Sequence, residues 1–180
     1  MALSMFQASV PVITQLLNGL SGVVDKTVAH IAEKKYDEQA FLQARLFPDM
    51  FTLGRQIRQA TDFGRNAPGR LAGVDLPAFP DADASFAEAK ARIAKSIDFV
   101  KSFTPAQIDG TEEKDISWKA GERTMSFKGQ AYLLHFCVGL RHVWMDVTHD
   151  LGLEFGRVTA LAAIAISTIV AFALGAKLFL

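Results

Sequence analysis

Cysteine is nearly absent from this chain: Cys137 is the single one in 180 residues. That excludes an intramolecular disulfide and any cysteine-rich zinc site, which suits a reducing compartment or indifference to redox state. An excess of charge is missing too. Nineteen basic residues balance 19 acidic ones, which removes the electrostatic case for nucleic acid as a partner. The glycines form no phosphate-loop or dinucleotide pattern, and Ser9, Ser21 and Ser126 stand in no recognisable nucleophile motif. The acidic stretch Asp109 to Asp115 lacks the alternating spacing of a calcium loop and reads as a solvated turn. Residues 1–24 carry no charge, and the first cation, Lys26, follows the apolar stretch. A secretory leader has its cations first. Gln7, Gln15, Asn18 and Ser21 also interrupt the run at helical spacing, so an amphipathic helix is expected there.

What is present is mostly helical periodicity. Phe6, Val10, Ile13, Leu17, Leu20, Val24, Val28 and Ile31 recur at three- and four-residue steps and predict one apolar stripe. Pro11 fits if this helix starts near Ser9 as N-cap. Lys34 to Gln39 reads as a polar connection. A second helix is expected from about Pro48 to Gly73, with Met50, Leu53, Ile57, Ala60, Ala67 and Leu71 inward, weakened by Gly54, Gly64, Pro68 and Gly69 and kinked in its second half. Val74 to Asp83, with Pro77 and Pro80, must be extended or turned. Ser85 and Glu88 have capping-box spacing ahead of a third helix that buries Phe86, Ala89, Ile93, Ile97, Val100 and Phe103. Pro105 and Asp109-Gly110 end that region. Ile116/Trp118 and Met125/Phe127 alternate around Ala120-Gly121 and predict a small β-hairpin, with a fourth helix from Gly129. The expected architecture is therefore mainly all-α, a four-helix bundle with a hairpin insertion over residues 1–150.

The tail differs in kind. Val158 to Ala176 is an uncharged run of 19 residues, with Lys177 the one charge before the chain end. As a helix it covers about 28 Å, close to the roughly 30 Å hydrocarbon core of a bilayer. We expect residues 156–180 to form a transmembrane helix, the competing reading being a buried core helix. The basic residues lie mostly before it, so the bundle should face the cytoplasm from the inner membrane; the alternative location is the cytoplasm itself.

Five segments, Ser4–Val12, Ala44–Phe51, Arg70–Val74, Ala91–Lys95 and Gly129–Phe136, closely resemble an uncharacterised bacterial family of the DinB/YfiT-like helical-bundle superfamily. The resemblance runs through residues 1–136 in order. It implies a DinB-like bundle. Some members of the wider superfamily bind a divalent metal through a histidine triad or act as thiol-dependent transferases, but no activity carries over from this family.

Beyond Phe136 a second resemblance begins. His135, Gly139, Arg141, His142 and Asp146 match the His-x3-Gly-x-Arg-His-x3-Asp signature of the succinate dehydrogenase cytochrome b membrane-anchor subunit. Carried over, it implies haem b as cofactor, His135 as the iron ligand, Arg141 and His142 near the propionates, and a partner anchor subunit supplying the second axial ligand. Seven residues of helix separate the two histidines by about 10 Å, comparable to the reach from haem iron to a propionate. The residues read without the family make His135 a core histidine instead. His142, Asp146 and His149 share a helical face that suits part of a Zn²⁺ or Fe²⁺ site, although solvated polar residues at a helix end are the commoner case. The chain reads as a join of two families near His135 and Phe136, as a gene fusion or an artificial sequence would give. Two functions follow. The first is a DinB-like domain with no catalytic constellation of its own, tethered through its C-terminal helix to membrane lipid; the second is a haem-binding electron-transfer anchor subunit. Homo-oligomerisation is open on either reading.

Overall fold

The computed structural model describes residues 3–80 and 84–136. Helix α1, Met5–Lys34, starts at Ser4 rather than near Ser9. Ser4 and Gln7 form a capping box: the Ser4 hydroxyl accepts from the Gln7 amide, and the Gln7 side chain accepts from the Ser4 amide, both at 3.2 Å. Ser9 lies one turn inside the helix, buried, donating its hydroxyl to the Met5 carbonyl at 2.7 Å. Pro11 consequently sits in the second turn, where it removes one helical hydrogen bond. The stripe that offsets this loss is Val10, Ile13, Leu17, Val24 and Ile31, all buried; Val28, expected inward, is exposed. Lys35 in the left-handed region ends the helix.

A short helix that was not expected, α2, Glu38–Gln43, begins at the end of the Lys34 to Gln39 connection, capped by Asp37, whose carboxylate accepts from the Gln39 amide. Helix α3, Leu53–Ala72, begins at Thr52 rather than Pro48, leaving Met50 in the preceding loop. It runs on through Pro68, and Ile57, Ala60, Ala67 and Leu71 are buried as expected. Gly64 permits its close crossing with α1: a Cβ there would lie 3.2 Å from Leu17 and 3.3 Å from Ile13. Gly73, at φ 73°, donates to the carbonyls of Arg70 and Gly69 and turns the chain back. Val74 to Pro80 has no regular secondary structure and returns beside α3, where the Pro77 carbonyl reaches Arg65.

Helix α4, Phe86–Lys101, follows the capping signal, Ser85 accepting from the Glu88 amide. Its Phe86, Ala89, Ile93 and Val100 are all fully buried. A single turn, α5, Pro105–Ile108, then leads to strands β1, Asp115–Ala120, and β2, Arg123–Lys128. They pair antiparallel, Ile116 opposite Phe127 and Trp118 opposite Met125. Gly121, at φ 63°, opens the two-residue turn between them. The hairpin is therefore where the alternation put it. A last helix, α6, occupies residues 129–136 within the described part of the chain. Its first amides find partners outside the helix: Gly129 donates to Lys114 O at 2.8 Å and Gln130 to Glu112 O at 3.0 Å.

The core is the space between α1, α3 and α4, closed by α6 through Tyr132, Leu133 and Phe136. Tyr132 accepts from Arg70 at 3.2 Å and stands 5.2 Å from Trp118, which joins the hairpin to α3 and α6. Burial raises the Tyr132 phenol above its ordinary value, with Arg70 pulling the other way. Among the described residues no helix is long and apolar enough to cross a membrane. The expected transmembrane helix, 156–180, lies outside the described residues.

Candidate functional site

The inward stripe of α3 leaves its opposite face to Arg55, Arg58, Gln59, Asp62 and Arg65. These positions are three or four residues apart, so they form one polar row along the helix. The returning segment Val74–Pro80 runs beside this row, and α4 presents Arg92 from across it. Together they enclose a cleft of about 400 Å³.

Two of its arginines are buried. Arg65 is 8% exposed and Arg92 is 5% exposed. Arg65 donates to the Pro77 carbonyl and to Asp62 Oδ1, the latter at 2.8 Å, while Arg92 donates to the Pro80 carbonyl. This proline-rich segment belongs to no ladder that could hold its carbonyls, and the two guanidinium groups supply the donors. Phe79 lies between them, its ring centre 4.5 Å from the Arg65 guanidinium carbon and 5.4 Å from that of Arg92. Desolvation pulls the Arg65 pKa below its ordinary value; Asp62 opposes that, and Arg92 and Arg70 add to it. Positive charge is thus concentrated where water is scarce.

Arg55 and Arg58 stand nearer the mouth. Arg55 lies over the ring of Phe51 at 3.7 Å, and Arg58 is half-buried. Four guanidinium groups and one carboxylate, Asp62, line the cleft, with no serine, cysteine or histidine among the lining residues. This arrangement suits fork-like hydrogen bonding to carboxylate or phosphate. It is not a nucleophile or a proton-transfer pair.

The residues singled out from the sequence lie elsewhere. His135 is on α6, exposed rather than in the core, its ring stacked on Phe127 at 5.4 Å and 16°. Arg141, His142, Asp146 and His149 lie outside the described residues, as does Cys137. His30 is exposed near the end of α1, its ring edge-on to Tyr36 at 5.7 Å. Among the described residues no group of three histidine, cysteine, aspartate or glutamate side chains is placed to hold a metal ion. The arginine row was present in the sequence as Arg55, Arg58 and Arg65, one helical face of α3. Only the position of Arg92 and the return of Phe79 reveal that it lines a cleft.

The family model described as Domain of unknown function (DUF1993) matches residues 5–140. The chain belongs to this family. Its fold is also that of a DinB family member protein from Shewanella denitrificans, with a TM-score of 0.73 and 23% sequence identity, over 83% of this chain and 89% of that one. No curated protein matches the chain. The DinB-like fold expected for residues 1–136 is therefore the fold of the described residues. The likeness of residues 135–180 to the cytochrome b anchor finds no support: the family matched is DUF1993, over residues 5–140, and no curated protein matches.

Proposed function

We propose that this DUF1993 domain is a binding module that holds a small anionic ligand in the arginine-lined cleft. One observation carries the reading: Arg55, Arg58, Arg65 and Arg92 converge on a single concavity that contains one carboxylate in its lining. Arg65 and Arg92 are fixed by the carbonyls of Pro77 and Pro80 and set the positive field. Arg55 and Arg58, towards the mouth, are the groups that meet the ligand. Arg55, held over the Phe51 ring at 3.7 Å, loses less side-chain entropy on binding an oxyanion than a freely rotating arginine would.

Thermal melting of the protein in phosphate and in chloride, at matched ionic strength, tests this. A ligand present at about 100 times its Kd adds roughly 2.7 kcal/mol, which raises the melting temperature of a domain this size by several degrees. Phosphate should produce such a rise, and Arg58→Ala should remove most of it without lowering the melting point in chloride by more than a degree or two. Identical curves in the two salts would refute the cleft as an anion site.

The sequence adds a second reading, that residues 156–180 anchor this module in the inner membrane with the bundle on the cytoplasmic side. It rests on the uncharged run Val158 to Ala176. The haem variant of that reading draws on one further feature: His135 is exposed, so its imidazole is accessible to an iron centre supplied with a partner anchor subunit. Membranes washed at high pH should retain the full chain and release a chain ending at Arg157. Recovery of the intact chain as a detergent-free monomer would sink the tether. Absence of a Soret band after reconstitution with haem, or a band unchanged in His135→Ala, would remove the haem variant.

A further inference from the structure

The loop between α2 and α3 borders a second concavity. This groove, about 300 Å³, lies between the second half of α1 and the loop, with Val23, Phe41, Leu46, Met50, Phe51 and Leu53 in its walls. Val23, Leu46 and Phe51 remain about two-fifths exposed (41%, 40% and 41%). Clustered exposed apolar side chains of this kind mark a binding surface more often than a solvated one. A pocket of roughly 300 Å³ with mostly apolar walls is within the size range of small-molecule sites.

The groove and the basic cleft are linked through a third concavity. Arg45 and Phe51 line the groove and also this middle pocket, whose remaining walls include Asp49, Thr52, Arg55 and Arg58. Arg55 and Arg58 in turn line the basic cleft. Phe51 contributes to both characters: it forms part of the apolar wall, and the Arg55 guanidinium lies 3.7 Å from its ring centre. Arg45 fastens the loop by donating to the carbonyls of Pro48 and Met50 at 3.4 and 3.1 Å. The lining residues therefore pass from apolar to cationic along one path around residues 44–58.

From this gradient, and resting on the anion reading of the cleft, we propose that the ligand is a free single-chain anionic amphiphile. Its phosphate or carboxylate head meets Arg55 and Arg58, and its alkyl chain lies in the groove beneath Leu46 and Phe51. Charge complementarity selects the head. The apolar walls select the tail, since each buried methylene is worth a factor of roughly four in affinity. A concavity of this size holds one chain, which distinguishes the proposal from attachment to a bilayer surface.

Calorimetric titration of the full chain with two phosphate monoesters separates the two readings. Glycerol 3-phosphate has a head and no tail; dodecyl phosphate, kept below its micelle concentration, has both. The proposal expects dodecyl phosphate to bind at least about tenfold more tightly. Leu46→Gln, a neutral change at a position 40% exposed, should cut the dodecyl phosphate affinity several-fold more than that of glycerol 3-phosphate. Arg58→Ala should weaken both. Equal affinities for the two esters would overturn the amphiphile while leaving the anion cleft standing, and no binding of either would overturn both. Binding to phosphatidylglycerol vesicles without binding of monomeric dodecyl phosphate would overturn the proposal in favour of a membrane surface.

Discussion

Replacing Gly129 by alanine should destabilise the domain by about 3 kcal/mol or more, although alanine is ordinarily the better helix residue. Gly129 is the first residue of α6, and its amide donates to Lys114 O at 2.8 Å. The turn that follows α5 passes so closely that an added Cβ would overlap the Thr111 carbonyl oxygen and lie 3.3 Å from Leu71. The obstacle is backbone, which cannot rotate aside. Relief requires the turn to lift, which gives up the bonds from Gly129 and Gln130, each worth roughly 0.5–1.5 kcal/mol. Overpacking adds about 1–3 kcal/mol. Without the close approach the sign would reverse, because glycine to alanine in a helix gains up to about 1 kcal/mol. Denaturant melts of the two proteins read the sign directly.

Phe86→Ala should have an effect of similar size for a different reason. Phe86 is 1% exposed and sits at the first position of α4. Its amide donates to Glu38 Oε1 at 2.6 Å, so α2 also caps the start of α4. Removing a buried phenyl ring typically costs roughly 3–5 kcal/mol, the lost transfer energy plus that of the cavity. Glu38→Gln, which leaves the ring in place, should cost no more than about 1–2 kcal/mol through the weakened cap. A Phe86→Ala loss below 1 kcal/mol would mean that the ring is not buried at the start of α4 as described.

The bundle was legible because burial imposes period. Ile13 and Leu17 on α1, Ile57 and Leu71 on α3, and Ile93 and Val100 on α4 fall at the spacing that a helix with one buried face requires. The hairpin was legible from alternation and Gly121. Local capping chemistry was harder to place. Ser4 and Gln7 carried the start of α1, yet Ser9 competed for it because Pro11 favours a first turn. Helix α2 escaped notice because its six residues are too few to show a period.

The cleft was legible only in part. Arg55, Arg58 and Arg65 on one helical face look the same in sequence as any solvated polar face. What makes them a site is tertiary: Gly73 turns the chain, Phe79 returns over α3, and α4 brings Arg92 from some 30 residues further along. His135 shows the converse. A histidine between Leu134 and Phe136 suggests burial, but the described part of α6 turns it outward onto Phe127 while Tyr132, Leu133 and Phe136 take the core.

The central claim, that the α3 cleft binds an oxyanion, is tested most directly by the guanidinium signals of the arginines themselves. Side-chain Nε–Hε correlations of the ¹⁵N-labelled chain should be followed while glycerol 3-phosphate is added, with Arg55→Lys and Arg58→Lys supplying the assignments. The account predicts that the Arg55 and Arg58 signals move together and saturate with a single Kd, while Arg123 on the hairpin stays in place. Signals from Arg55 and Arg58 that do not move, or that move linearly and in step with Arg123, would contradict it.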